Sequence, residues 1–218
     1  MKSVLPFLLM LLLFAGLTMP LQAQPAVNPI YLGVRAGMNL GQASFTPDPG
    51  SGVSKGFRTG IGGGLFADFG VSSSFFVDAE VLYTQGGVKF SLGSAEDNIK
   101  VDEVNIPISA KYKFPMEGSN VKPYVFGGGD IGFVMKAEEE QKNIPGQADT
   151  TADIKDQIES VDYGLHFGAG VEFEVSPGVN VFLDGRYGLG LKDVAKSTGV
   201  EVKPWNIGVL LGVSWRVN

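Results

Sequence analysis

From residue 30 onward, apolar and polar positions alternate with a period of two, the signature of strands whose two faces meet different surroundings. Eight segments carry the pattern: 30–40, 57–69, 75–83, 104–114, 124–135, 161–175, 181–191 and 205–217. In the first, Ile30, Leu32, Val34, Ala36, Met38 and Leu40 share one face, and Tyr31, Gly33, Arg35, Gly37 and Asn39 share the other. The fourth sets Val104, Ile106, Ile108, Ala110, Tyr112 and Phe114 against Asn105, Pro107, Ser109, Lys111 and Lys113. Throughout, one face is apolar and free of charge, while the second is rich in glycine and ionisable residues. No stretch after residue 28 has a convincing helical period.

The connections alternate in length. Short links near 70–74, 115–121 and 176–180 alternate with longer ones near 42–55, 91–101, 136–160 and 193–203. Short periplasmic turns and long outer loops are the pattern of an outer-membrane barrel. Eight strands, an even number, predict an all-β fold: an antiparallel, up-and-down transmembrane β-barrel.

A soluble barrel would put its apolar face inside around a ligand. The charge-free face instead runs for the length that crosses a bilayer. It carries aromatics near strand ends, Phe57, Phe75, Tyr112, Phe114, Trp205 and Trp215 among them, where interface girdles sit. The glycine-rich face suits a crowded lumen, which in eight strands is just wide enough for side chains. The stretch YVFGGGDIGFVM at 124–135 is then a membrane-crossing strand with Asp130 directed inward. As a phosphate loop it fails, because no Lys-[Ser/Thr] and no helix follow its glycines.

The first 23 residues, MKSVLPFLLMLLLFAGLTMPLQA, have one basic residue, a short apolar run and a more polar end, the layout of a cleaved secretory signal. Residues 24–218 are then the barrel domain. The chain has no Cys, which removes disulfides, thiolate chemistry and lipid attachment at a cysteine. Its net charge of −6 speaks against nucleic acid as a partner. No cofactor or metal site is expected, and the single histidine, His166, cannot build an imidazole-rich metal centre.

Inward charges predict an ionic lattice filling the lumen: Arg35, Glu80, Lys111, Asp130, His166, Asp184 and Arg186. Buried charges are costly unless paired, so Glu80 is expected to meet Lys111, and Arg35 to face Asp130. A narrow proton or ion path through these groups is the alternative. A second alternative is a hydrolase built on an Asp162–His166 or Asp184–His166 dyad. The acidic segment 136–160 reads as a solvated loop and the best candidate for a protein or cell-surface partner.

The strands VNIPISAKYKF (104–114), YLGVRAGMNL (31–40), KPYVFGGGDIGF (122–133) and LLGVSWRV (210–217) resemble those of the PorT-like outer-membrane β-barrel family. That resemblance implies a small Gram-negative outer-membrane barrel, similar in architecture to the OmpA membrane domain, with some members linked to secretion. The C-terminus departs from the usual aromatic ending, since Trp215 is followed by Arg216, Val217 and Asn218. The expected role is structural or interaction-based (adhesin, envelope integrity or secretion accessory) rather than enzymatic, in a monomer surrounded by outer-membrane lipid.

Overall fold

The computed structural model describes residues 28–218, apart from 49, 51, 197 and 198, so the expected signal peptide at 1–23 falls outside it. Nine strands form among the described residues: β1 (Ile30–Thr46), β2 (Ser54–Gly70), β3 (Phe75–Leu92), β4 (Ala95–Lys113), β5 (Val121–Lys142), β6 (Thr150–Asp153), β7 (Val161–Ser176), β8 (Val179–Gly190) and β9 (Glu201–Arg216). Eight close into an antiparallel ring in the order β1-β2-β3-β4-β5-β7-β8-β9, and β9 returns to β1. The short β6 pairs only with β5, as a flap outside the ring. Closure leaves no open edge among the ring strands, which is the condition for crossing lipid.

The polarity is inverted relative to a soluble core. Val34, Met38, Ile61, Ile108, Phe167 and Leu211 are exposed on the outer face, while Arg35, Asp68, Asp78, Lys111 and Asp184 are buried within. Aromatic ladders mark both ends of the belt. Phe75, Tyr112 and Phe114 contact one another at centroid distances of 5.7 and 5.0 Å near the short turns. Phe57, Trp205 and Tyr187 do so at 5.3 and 5.8 Å toward the long arms. The described N-terminus meets the C-terminus at the short-turn end, where Val217 N–H donates to the Ile30 carbonyl.

The inner glycines have a specific use. Four buried rings that cluster in the lumen, Phe66, Tyr124, Phe126 and Phe182, stand directly across the ladder from Gly33, Gly170, Gly168 and Gly212. A Cβ at any of these glycines would come within 2.3–2.5 Å of the facing ring. Each ring thus lies flat over a neighbouring strand, the arrangement by which aromatics cover strand glycines.

The arms reach further than the alternation predicts. β4 and β5 run for 19 and 22 residues, about twice what a tilted strand needs to cross the membrane. The expected loop at 91–101 is instead a two-residue turn, with Gly93 at φ +62°, followed directly by β4. Outside lipid a strand needs no apolar face, so its polar sequence hid it. Likewise, 136–142 continues β5 instead of starting a loop. Between Asp102 and Glu103 the β4–β5 register shifts and leaves Met135 as an extra residue. This bulge switches the inward parity of β5, so both Val134 and Ala137 face inside.

Replacing Gly168 with Ala is expected to destabilise the barrel by about 1–3 kcal/mol, through overpacking against Phe126. Gly129→Ala, whose Cβ would meet only the Gly164 carbonyl at 3.6 Å, should stay within about 0.5 kcal/mol of the parent. Equilibrium denaturant unfolding in lipid vesicles measures both.

Candidate functional site

The interior divides along the barrel axis into a charged floor, two chambers above it, and a lid. In the floor, Arg35 from β1 lies 3.2 Å from both Asp78 and Glu80 on β3, and 3.6 Å from Asp184 on β8. Arg186 donates to both Glu80 carboxylate oxygens at 3.3 Å. Lys111 bridges Asp68 and Asp78 at 2.7 and 2.5 Å, and Lys113 holds Glu172 at 2.7 Å. The Tyr124 hydroxyl donates to Asp184 at 3.1 Å. Arg35 lies over Phe66 and Phe182, 4.1 and 5.1 Å from the centroids of these two edge-to-face rings. Lys111 and Lys113 rest similarly on Phe66 and Phe76. These side chains fill the periplasmic half of the lumen.

All seven lattice residues inferred from sequence point into the lumen, but three partnerships differ. Lys111 pairs with Asp68 and Asp78 rather than with Glu80, because Glu80 is engaged by Arg35 and Arg186. Asp130 meets His166 instead of Arg35. His166 bonds neither Asp162 nor Asp184. Its Nδ1 lies 3.2 Å from Asp130 Oδ1, and its Nε2 lies 2.6 Å from the Ser109 hydroxyl.

That Ser–His–Asp chain is laid across Gly128, which pairs with both Ser109 and His166. A Cβ on Gly128 would fall 2.7 Å from the Ser109 Cα. Along the hydrogen-bond chain the three groups have nucleophile, base and orienting acid chemistry. Ser109 is only 2% exposed, however, and stands apart from the residues lining either chamber, whereas His166 and Asp130 border the lower one. Only the inward parity of Ser109 signalled its place, and parity alone did not single it out.

Above the floor lies a chamber of about 100 Å³ whose polar groups are Asn39, Glu103, Asp130, Asp162, His166 and Arg186, among others. Above it opens a larger chamber of about 240 Å³ lined by Ala43, Val88, Ile99, Val101, Val134 and Ile154. Asn39, Thr84, Glu103, Pro204 and Asn206 border both chambers.

The lid comes from the segment expected to be a solvated loop. Ile154 packs with Val134 and Ala137, and Ile158 packs against them, around the 3₁₀ turn Lys155–Gln157. Backbone bonds from Ile154 to Ala137 (3.0 Å) and from Glu159 to Val194 (2.9 Å) hold the lid to β5 and to the 193–196 segment. Asp193 pins that segment by accepting from the Ala195 and Val202 N–H groups, which hold its carboxyl below the usual range. Sequence offered one unused signal, the spacing of Ile154 and Ile158 within an otherwise polar run.

Beyond the membrane, on the β4 arm, burial and the neighbouring Glu139 charge push the Asp97 carboxyl up to about 6. Among the described residues no group of three or more His, Asp or Glu is arranged to hold a metal ion.

A closed ring of eight antiparallel strands with an apolar exterior and an ionic interior defines an outer-membrane β-barrel. The chain belongs to the family described as outer membrane protein beta-barrel domain, whose profile matches residues 22–196. No curated protein matches it in sequence. Among solved structures it is similar to Neisserial surface protein A, at 20% identity and TM-score 0.48, covering 86% of this chain and 96% of that one. It is also similar to OprG from Pseudomonas aeruginosa, at 13% identity and TM-score 0.48, covering 90% and 99%. A third is Ail of Yersinia pestis, at 16% identity and TM-score 0.39, covering 84% and 97%.

Two outcomes are expected. Arg35→Ala strands Asp78, Glu80 and Asp184 without their shared cation and should cost about 3–5 kcal/mol in vesicle unfolding, with partial recovery on adding Glu80→Gln. For Asp97, the carboxyl ionises near 3.8 in the unfolded chain and near 6 in the folded arm. Its contribution is therefore complete below about pH 3.8 and is lost as pH rises through 6. Amide exchange in the β4 and β5 arms, corrected for intrinsic rate, should be slower at pH 5 than at pH 7, and Asp97→Asn should flatten that difference.

Proposed function

We propose that this outer-membrane barrel is a closed scaffold that works through its extracellular end, in a structural or interaction role, rather than as a channel or hydrolase. The observation that carries this reading is the floor. Five carboxylates (Asp68, Asp78, Glu80, Glu172, Asp184) interlock with four cations (Arg35, Lys111, Lys113, Arg186) at a level where the lumen is already packed with aromatic rings. A conducting path needs a continuous column of mobile water, and opposite charges locked within 2.5–3.6 Å among packed rings interrupt it.

The hydrolase alternative has one observation in its favour, the Ser109–His166–Asp130 chain, and one against it, the burial of the hydroxyl that would attack. Under the scaffold reading the chain is exported in a Gram-negative envelope by its first 23 residues and is a monomer in lipid. It engages its surroundings through 136–160 and the neighbouring arms. The PorT-like strand resemblance adds a secretion accessory to adhesion and envelope integrity as the forms this role takes.

The mature chain refolded into planar bilayers, with folding verified by heat-modifiable gel migration, should give no steady single-channel conductance. Conductance that changes with Arg35 or Glu80 substitution would overturn the scaffold reading in favour of a pore.

A further inference from the structure

Most charged groups in the lumen have a counter-charge, and the exceptions are gathered at one level. Asp162 is 8% exposed, borders the lower chamber, and accepts only from the backbone N–H of its neighbour Tyr163, at 2.7 Å. Glu103 borders both chambers, and its hydrogen-bonding partner is the neutral side chain of Asn105. Neither carboxylate forms an ion pair among the described residues. The nearby basic groups are engaged elsewhere: Arg186 by Glu80, His166 by Asp130, and Lys192 by Glu159 at 2.8 Å. Two carboxylates held at a chamber wall without a cation are an unfavourable arrangement that a cationic ligand would relieve.

Directly above them the surroundings change character. The upper chamber is walled by Val88, Ile99, Val101, Val134 and Ile154 and roofed by Ile158 and Val194. A cavity of about 150 Å³ admits benzene. By the same scaling, the 240 Å³ here holds an apolar body of about ten heavy atoms. The lower chamber, at 100 Å³, has room for a small head group beside the carboxylates.

We propose that the stacked chambers bind a small hydrophobic amine, with its ammonium between Glu103 and Asp162 and its apolar body beneath the Ile154–Ile158 lid. The floor below blocks passage, so the site receives its ligand at the extracellular mouth and holds it there. The inference rests on the closed-scaffold reading and adds to it the chemical class recognised. Ammonium-to-carboxylate bonds in a water-poor chamber give the selectivity, and the apolar wall gives the affinity.

Three probes sharing one apolar body test it by calorimetry on the full mature chain in nanodiscs: 4-phenylbutylamine, 4-phenylbutanol and 4-phenylbutyrate. The amine is expected to bind at least about tenfold tighter than either of the others. The Glu103→Gln/Asp162→Asn double variant should lose that preference, binding the amine no more tightly than the alcohol. Ile158→Trp, which fills the roof, should weaken all three and separates chamber binding from partition into lipid. Equal affinities for the three probes, tighter binding of the carboxylate, or amine binding untouched by Ile158→Trp would each overturn the proposal. Failure of all three probes to bind a non-conducting barrel would sink the amine site and leave the scaffold standing. Conductance through the parent barrel would sink the scaffold whatever the probes do.

Discussion

A backbone amide or carbonyl that meets lipid has no water to bond, and a chain that crosses the bilayer as strands can satisfy these groups only by closing on itself. The rest of this molecule depends on that closure. Eight strands close around a lumen with room for side chains and little more. Whatever faces inward must therefore pack at the density of a protein core while the apolar residues are committed outward to lipid. Two devices meet the demand. Rings lie over facing glycines, as Phe66 does over Gly33 and Phe126 over Gly168. Charges interlock, with the Arg35 guanidinium serving three acids from two other strands.

The interlocking also couples distant walls of the ring. Arg35 ties β1 to β3 and β8, Lys111 ties β4 to β2 and β3, and Lys113 ties β4 to β7. Buried ion pairs are weak contributors to net stability, because desolvation offsets their attraction, yet breaking one is costly. Their value here lies in register. A slip of one residue in any strand would turn its charges to lipid and its apolar side chains to the lumen, and the lattice would lose several pairs together.

The alternation of the eight segments made the ring legible, because lipid on one side and a packed lumen on the other impose opposite polarities on successive residues. Legibility stopped where lipid stops. The β3–β4 arm and the 136–142 continuation of β5 lie beyond the membrane, where either face can be polar, and KAEEEQK reads as loop. Partnerships within the lumen were legible only as a set. Inward parity identified Arg35, Glu80, Lys111, Asp130, His166, Asp184 and Arg186, but strand register and shear decide which of them meet. So Glu80 went to two arginines, and Asp130 to the imidazole. The apolar upper chamber was hidden by the bulge at Met135, whose parity switch no alternation count anticipates.

The Ser109–His166–Asp130 chain shows why a constellation must be weighed with its surroundings. A buried imidazole has two ring nitrogens to satisfy, and a hydroxyl on one side with a carboxylate on the other does so with little volume. Gly128 lets the Ser109 hydroxyl of β4 and the His166 imidazole of β7 meet across β5, which itself carries Asp130. For the same hydroxyl to attack a substrate, the substrate must reach it, and donors must stand free to receive the developing charge. At this level the paired strands β4, β5 and β7 use their backbone groups in the ladder, and the hydroxyl is covered. One storey higher the balance reverses. Glu103 and Asp162 border open space without a counter-charge, next to a wall that has no polar demand of its own. Recognition is favoured where pairing is incomplete and space is open, and in this barrel those two conditions coincide at the extracellular mouth.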